Sequence, residues 1–270
     1  MSIKDQQPVA DPFALLKSEI QAAVSHWRHS EEESTWRDPL LAVASADDSL
    51  FPKLREVVDP DHAMPSDLVP DARSVLVFFL PFHRSIGREN DLEGYYSSSS
   101  WADMYVETNL LIREICNYLK GCIERLGYRA ATTPATHNFD EQKLVSRWSH
   151  KHLGYIAGLG TFGHHRLLIT EAGCCGRLGS IVTNMPIPPT PRPAGEWCLA
   201  RAGKRCHACV SKCIFGALQK DSYDRHRCYE QCLANIPRHQ GSSITDVCGK
   251  CGCEVPCSYQ IPVALREKSE

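Results

Sequence analysis

Ten of the chain's fourteen cysteines fall between Cys198 and Cys257, and this crowding constrains the fold more than any other feature. The stretch has no long apolar periodicity. A segment so short cannot build much core and needs a staple. The N-terminus, "MSIKDQQPVADPF", has no apolar signal core, so a reducing, cytoplasmic setting is expected and a disulfide framework is not. Metal binding is then the leading expectation for the ten.

The spacing narrows the metal. "CHACVSKC" gives Cys206-x2-Cys209-x3-Cys213, which matches the end of the bacterial ferredoxin run C-x2-C-x2-C-x3-C. In that run the last cysteine serves the other of two clusters. Cys198 supplies the missing first ligand from a longer loop. Cys248-x2-Cys251, with Cys257 behind it, is a second partial run, and Cys228 is the ligand left over. Eight thiolates therefore divide into two sets, one for each of two 4Fe-4S clusters. Cys198, Cys206, Cys209 and Cys257 form the first; Cys213, Cys228, Cys248 and Cys251 form the second. Thiolates are soft donors that suit iron held between sulfides. The alternative is one four-thiolate zinc site on Cys206, Cys209, Cys248 and Cys251. It leaves four regularly placed cysteines without work. Cys232 and Cys253 stay open as substitutes for a neighbouring ligand. Cys116 and Cys122 read as core residues on a helix. The vicinal pair Cys174-Cys175 reads as inert.

Ahead of the cysteines lies a different kind of chain. Asp11-Pro12 reads as an N-cap and first helical residue, followed by Phe13, Leu16, Ile20, Val24 and Trp27 at helical spacing. "EEES" near Glu31 reads as a solvated turn. Residues 36–70 read as short helices and loops. "SVLVFFLPF" is apolar at every position and reads as a central strand buried on both faces. "GRENDLEGYYSSSS" reads as a polar loop, a candidate lid. A long helix is expected over 101–126, with Gly127 as its stop, and another over 140–157. "RLLIT" and "GSIVT" read as strands. The run "MPIPPTPRPAG" reads as a linker. The expected organisation is α/β (α+β): an α/β domain over 1–185 and a two-cluster ferredoxin-like module over 186–270. The formal charge of −2 gives no general attraction to nucleic acid, and no apolar run reaches membrane-spanning length.

"IAGLGTFGHHRLLIT" holds Gly158, Gly160 and Gly163 in G-x-G-x-x-G spacing. A dinucleotide site needs a strand before this turn and a helix after it, with an acid about 20 residues on. Here the order is inverted and the acid is missing. The glycines read instead as a side-chain-free turn that a bulky planar cofactor can approach. His150 and His152, just upstream, read as surface or capping residues.

"HKHLGYIAGLGTFGHHRLLIT", then "GRLGSIVTN", then two-cluster cysteines: this combination resembles the epoxyqueuosine reductase family and its reductive dehalogenase relatives. The resemblance implies a nitroreductase-like corrinoid-binding domain, a bound cobalamin, and electrons passing from a low-potential donor through the clusters to cobalt. It places Gly160, Thr161, Gly163, His164, His165 and Arg166 along the corrinoid, and Tyr229 between a cluster and the cofactor. The family's tRNA enzyme carries a catalytic aspartate just before a proline; the matching "ATTP", Ala131 to Pro134, has no acid. Asp140 is then the first candidate proton donor. The family's longer members add a helical-repeat extension absent here, so a small-molecule substrate is expected in place of tRNA. The alternative is an electron-transfer protein that reduces or reactivates a partner corrinoid protein.

Overall fold

The computed structural model describes residues 11–27, 35–239 and 244–262. The "EEES" segment lies outside them. The helices are α1 (Pro12–Trp27), α2 (Leu54–Val57), α3 (Pro65–Leu68), α4 (Arg84–Leu92), α5 (Ser99–Arg125), α6 (His150–Ile156), α7 (Ala208–Lys212) and α8 (Arg225–Asn235). The strands are β1 (Leu40–Ser45), β2 (Ser74–Pro81), β3 (Ala130–Thr132), β4 (Phe139–Asp140), β5 (Val145–Ser146), β6 (Gly160–Phe162), β7 (Leu168–Thr170) and β8 (Gly176–Thr183).

A four-stranded antiparallel sheet, ordered β1-β2-β8-β3, forms the centre. All eight residues of β2 are buried, as its unbroken apolar run requires. Successive side chains point to opposite faces. Leu76, Phe78 and Leu80 therefore join Val43 of β1 and Ile181 of β8 against α1 and α5. Val75, Val77 and Phe79 join Ala42, Ala44 and Val182 against α2 and α6. Two hydrophobic layers thus grow from one strand. The helix α5 supplies Leu111, Ile112, Ile115, Leu119 and Ile123 at helical spacing. Asp11 caps α1 by accepting from Ala14 N at 3.0 Å.

Four expectations are corrected. Residues 36–70 contain a strand, β1. The first part of the candidate lid, through Leu92, is the end of the helix α4. The helix expected from Asp140 begins only at His150, because Phe139–Asp140 and Val145–Ser146 pair as a small hairpin. The proline-rich run is no free linker: Met185 and Ile187 are buried in the main core. Thr190 N donates to Val43 O at 2.8 Å, and Val43 N donates to Thr190 Oγ1 at 3.1 Å. The run thereby covers the outer edge of β1, which would otherwise offer unpaired backbone groups.

Candidate metal centre and cofactor trough

The turn after α6 brings the first four cysteines together. Gly158 sits at φ +87°, where an added Cβ would meet Pro191 O at 2.6 Å. This close packing sends the chain from α6 directly into β6, so helix precedes turn and strand follows it. The segment after β6 then reaches the cysteines. Cys198, Cys206, Cys209 and Cys257 wall one small cavity together with His164 and His165. The Cys209 thiol is pushed up to about 12, by burial first and then by the sulfurs of Cys257, Cys198 and Cys206. His164 N donates to Cys198 Sγ at 3.4 Å. His165 Nδ1 accepts from Leu167 N at 3.1 Å, so its proton is on Nε2, which donates to Cys257 Sγ at 3.3 Å. Such N–H bonds stabilise negative charge on ligand sulfurs.

The other four converge nearby. The Cys251 thiol is raised well above its ordinary value by burial, then by Cys248, Cys228 and Cys213. Cys248 is pushed up to about 11 by burial, with Cys228 and Cys213 adding to it. Leu218 N donates to Cys213 Sγ at 3.2 Å. Cys228 is drawn down to about 6 by hydrogen bonds from Cys232 and from Tyr223, with the ammonium of Lys151 assisting. Cys232 is thus a fifth sulfur beside this set. Cys253 lies outside both sets, fully buried, with Asn90 Nδ2 donating to its Sγ at 3.4 Å. Cys174 and Cys175 are buried too. Both thiols point at Gly252 O, at 3.6 and 3.0 Å, and both backbone N–H groups donate to Ser258 O. His165, Cys174 and Cys257 bring their ligand atoms within 4.8 Å of one another. Cys116 is buried in the core, and Cys122 is half-buried beside Arg125.

A trough runs along the sheet edge past the second set. It consists of three chambers of about 230, 310 and 660 Å³. The first two share Leu167, Cys174, Gly176 and Arg177; the second and third share Ala135, Asn138, Ser146, Ser149 and Lys151. Cys232 and Cys248 stand at one end, Arg166 and Phe162 at the other. The guanidinium of Arg177 lies 4.3 Å over the Tyr105 ring, and its buried Nε has no partner. Tyr105 donates to Asp246 Oδ1 at 2.9 Å and lies 2.8 Å from Thr136 Oγ1. A large ligand with both apolar and hydrogen-bonding surface fits this wall: Phe79, Trp148, Leu168 and Leu178 offer the first, the orphaned Arg177 Nε the second.

No family model matches the sequence, and no curated protein matches it. Solved structures do. An epoxyqueuosine reductase from Bacillus subtilis superposes with a TM-score of 0.53 at 17% identity, covering 94% of this chain and 68% of that one. One from Streptococcus thermophilus gives 0.51 at 14%, covering 87% and 64%. A reductive dehalogenase whose structure suggested a mechanism for B12-dependent dehalogenation gives 0.57 at 16%, covering 84% and 31%. The chain has the epoxyqueuosine reductase fold. It spans about two thirds of the length of the epoxyqueuosine reductases and under a third of the dehalogenase. Among the described residues no helix is long and apolar enough to cross a membrane.

Within this epoxyqueuosine reductase fold, the residues expected along the corrinoid divide. Arg166 lines the trough. His164 and His165 instead wall the first cysteine cavity. Thr161 is buried and accepts from Trp197 N at 2.8 Å. An added Cβ at Gly160 would meet Ile169 O at 1.9 Å, and one at Gly163 the His165 ring at 2.2 Å. Close protein packing accounts for both glycines. Tyr229 meets Phe139 edge-on at 5.6 Å, and Asp140 closes a turn by accepting from Gln142 N and Lys143 N at 2.9 and 2.8 Å. Neither lines the three chambers. Those two bonds hold the Asp140 carboxyl below its ordinary range, the wrong direction for a proton donor. His150 is no surface residue. Trp148 Nε1 donates to Ser180 Oγ at 2.9 Å, Ser180 donates to His150 Nδ1 at 3.0 Å, and His150 Nε2 donates to Pro134 O at 3.0 Å. Sequence reasoning missed Lys151, Arg177, Tyr105, Tyr223, Arg225 and Asp246. Lys151 and Arg177 lie within the quoted motifs but nothing there marks their roles, and the others come from other stretches of chain.

Proposed function

We propose that the chain is a corrinoid-dependent reductase carrying two 4Fe-4S clusters. Cys198, Cys206, Cys209 and Cys257 hold one; Cys213, Cys228, Cys248 and Cys251 hold the other. The observation that carries this reading is the sorting of eight cysteines into two sets of four, the second bordering the trough. Four soft thiolates per set match a cubane with one ligand per iron. Cobalamin bound in the trough would carry electrons from the clusters to a reducible small molecule. The Cys248 end of the second set borders the trough, so a low-potential donor would deliver electrons by way of the Cys198 set. Fourteen free thiols suit a reducing cytoplasm.

Reduction also needs protons. Asp140 does not supply them; Tyr105 does. Tyr105 lines the trough, stays protonated at neutral pH with its pKa raised further by burial, and rests with its O–H on Asp246 beside Thr136, from which a bound substrate would draw it. The competing reading, an electron-transfer protein serving a partner corrinoid protein, is favoured by the acid-free "ATTP" and the withdrawal of Asp140. A trough of this size beside the second set speaks against it.

Anoxic reconstitution with iron and sulfide tests the reading. The brown product should hold about eight irons per chain, and added cobalamin should shift to its base-off spectrum. A colourless, zinc-binding chain would overturn the cluster assignment. A brown chain that ignores cobalamin would favour the electron-transfer reading.

A further inference from the structure

We infer that the large chamber of the trough is an oxyanion-binding pole, which takes the phosphate or carboxylate of a small ligand on Lys151, Arg166 and Arg225. This rests on the reductase reading for its place in the reaction, and names the chemical class of what binds there. The chamber, about 660 Å³, carries four cations on its wall and no Asp or Glu. Arg201 is already paired with Glu196 at 3.2 Å. Arg225 spends one N–H on Lys143 O at 3.2 Å. Lys151 and Arg166 make no ion pair with any described residue. Arg166 is placed there by a turn that holds it at φ +66°, closed by its N–H donating to Gly163 O at 3.0 Å.

The charges burden one another. Lys151, Arg166 and Arg225 all border the same chamber, with their charged side chains open to solvent. Neighbouring like charges repel, and an arriving anion relieves that repulsion while gaining charge-assisted hydrogen bonds. Phe139, Phe162, Leu144 and Val57 give the wall an apolar part beside polar residues such as Asn138 and Ser146, so the ligand carries an apolar body behind its anionic group. Tyr223 sits on the same wall and hydrogen-bonds Cys228, which sets the bound anion beside the second cysteine set.

Two sources share this chemistry: the phosphodiester tail of cobalamin, and an anionic substrate. The anoxically reconstituted full chain is titrated calorimetrically with benzoate and with benzyl alcohol, its neutral analogue, then with cobalamin and with cobinamide, which lacks the tail. Benzoate should bind at least about tenfold tighter than benzyl alcohol, and R166Q/R225Q should lose that margin, while iron content and melting temperature hold. If the double variant does not fold, K151M replaces it, with R166K as the charge-keeping control. A tenfold preference for cobalamin over cobinamide, abolished in R166Q/R225Q, assigns the pole to the cofactor's tail. Equal corrinoid binding, with benzoate still binding the loaded protein, assigns it to a substrate. Benzoate and benzyl alcohol binding alike, or benzoate binding R166Q/R225Q as it binds the parent, overturns the inference. A chain that binds benzoate but neither corrinoid leaves the pole standing and removes the reductase reading.

Discussion

His165 shows how one side chain ties the glycine turn to the metal chemistry. Its Nδ1 is committed to Leu167 N, so the ring can only donate from Nε2 to Cys257. His165→Phe should keep the iron but lower the midpoint potential of the first cluster. Loss of about 1 kcal/mol of bonding to the more negative, reduced state corresponds to roughly 40 mV for one electron, readable by EPR-monitored titration. His150 works in the opposite direction, as a buried neutral ring. Burial lowers its pKa from the ordinary 6.5 to about 4. Between those values the unfolded chain binds the extra proton, so stability falls as pH drops through that window. From pH 6.5 to 5 the expected loss is about 1.5 kcal/mol. His152 is lowered to about 4 in the same way, so urea midpoints at the two pH values should differ in the parent and differ less in His150→Asn. Neither role was visible in the sequence: a histidine's partners come from distant segments, and His150 and His165 look alike until the fold gives them different surroundings.

At the level of elements, pattern was readable where one force dominated. The strand β2 is apolar at all positions because the sheet is covered on both faces, and α5 repeats its apolar residues at helical spacing because one face meets that sheet. The short strand "LLAVAS" hid among Asp- and Pro-rich neighbours, and only its pairing with β2 makes it a strand. The hairpin of Phe139–Ser146 was read as helix because Asp140 looks like an N-cap; its carboxylate does cap backbone N–H groups, but those of a turn. The cysteine spacing was readable because ligands of one metal centre must recur at short, regular intervals. Within the Cys248-x2-Cys251 run, Gly249 has φ +74°, and an added Cβ would fall 2.2 Å from the Trp101 ring. Gly249→Ala should cost at least about 1 kcal/mol from the left-handed backbone alone, near 2–4 °C in melting temperature for a chain of this order. The collision with Trp101 should add to that. Iron content should fall in step with the melt; an unchanged melt would contradict this packing.

Across the whole molecule, fourteen thiols serve different ends, and iron content should sort them. Cys209→Ala should lose about half the iron, whereas Cys116→Ala, whose sulfur sits on the core face of α5 near Ser180 O, should lose none. Equal iron in the two variants would break the partition. The two portions of the chain are not hung together by a flexible tether. Asn90 makes this concrete. It is fully buried on α4; its Nδ2 donates to Cys248 O at 2.9 Å, its Oδ1 accepts from Ser98 N at 3.0 Å, and its own carbonyl accepts from Lys250 Nζ. Its partner Cys248 lies 158 residues further along the chain. During synthesis α4 is therefore finished long before the loop that satisfies it exists. That loop carries metal-ligand candidates, so supply of the metal and completion of the fold become a single maturation event. A cell short of iron should accumulate open, protease-sensitive chains in place of a folded, cluster-free protein. Limited proteolysis of iron-starved material, with cuts mapped to Arg84–Leu92, would reveal it; protection equal to that of the loaded protein would refute it.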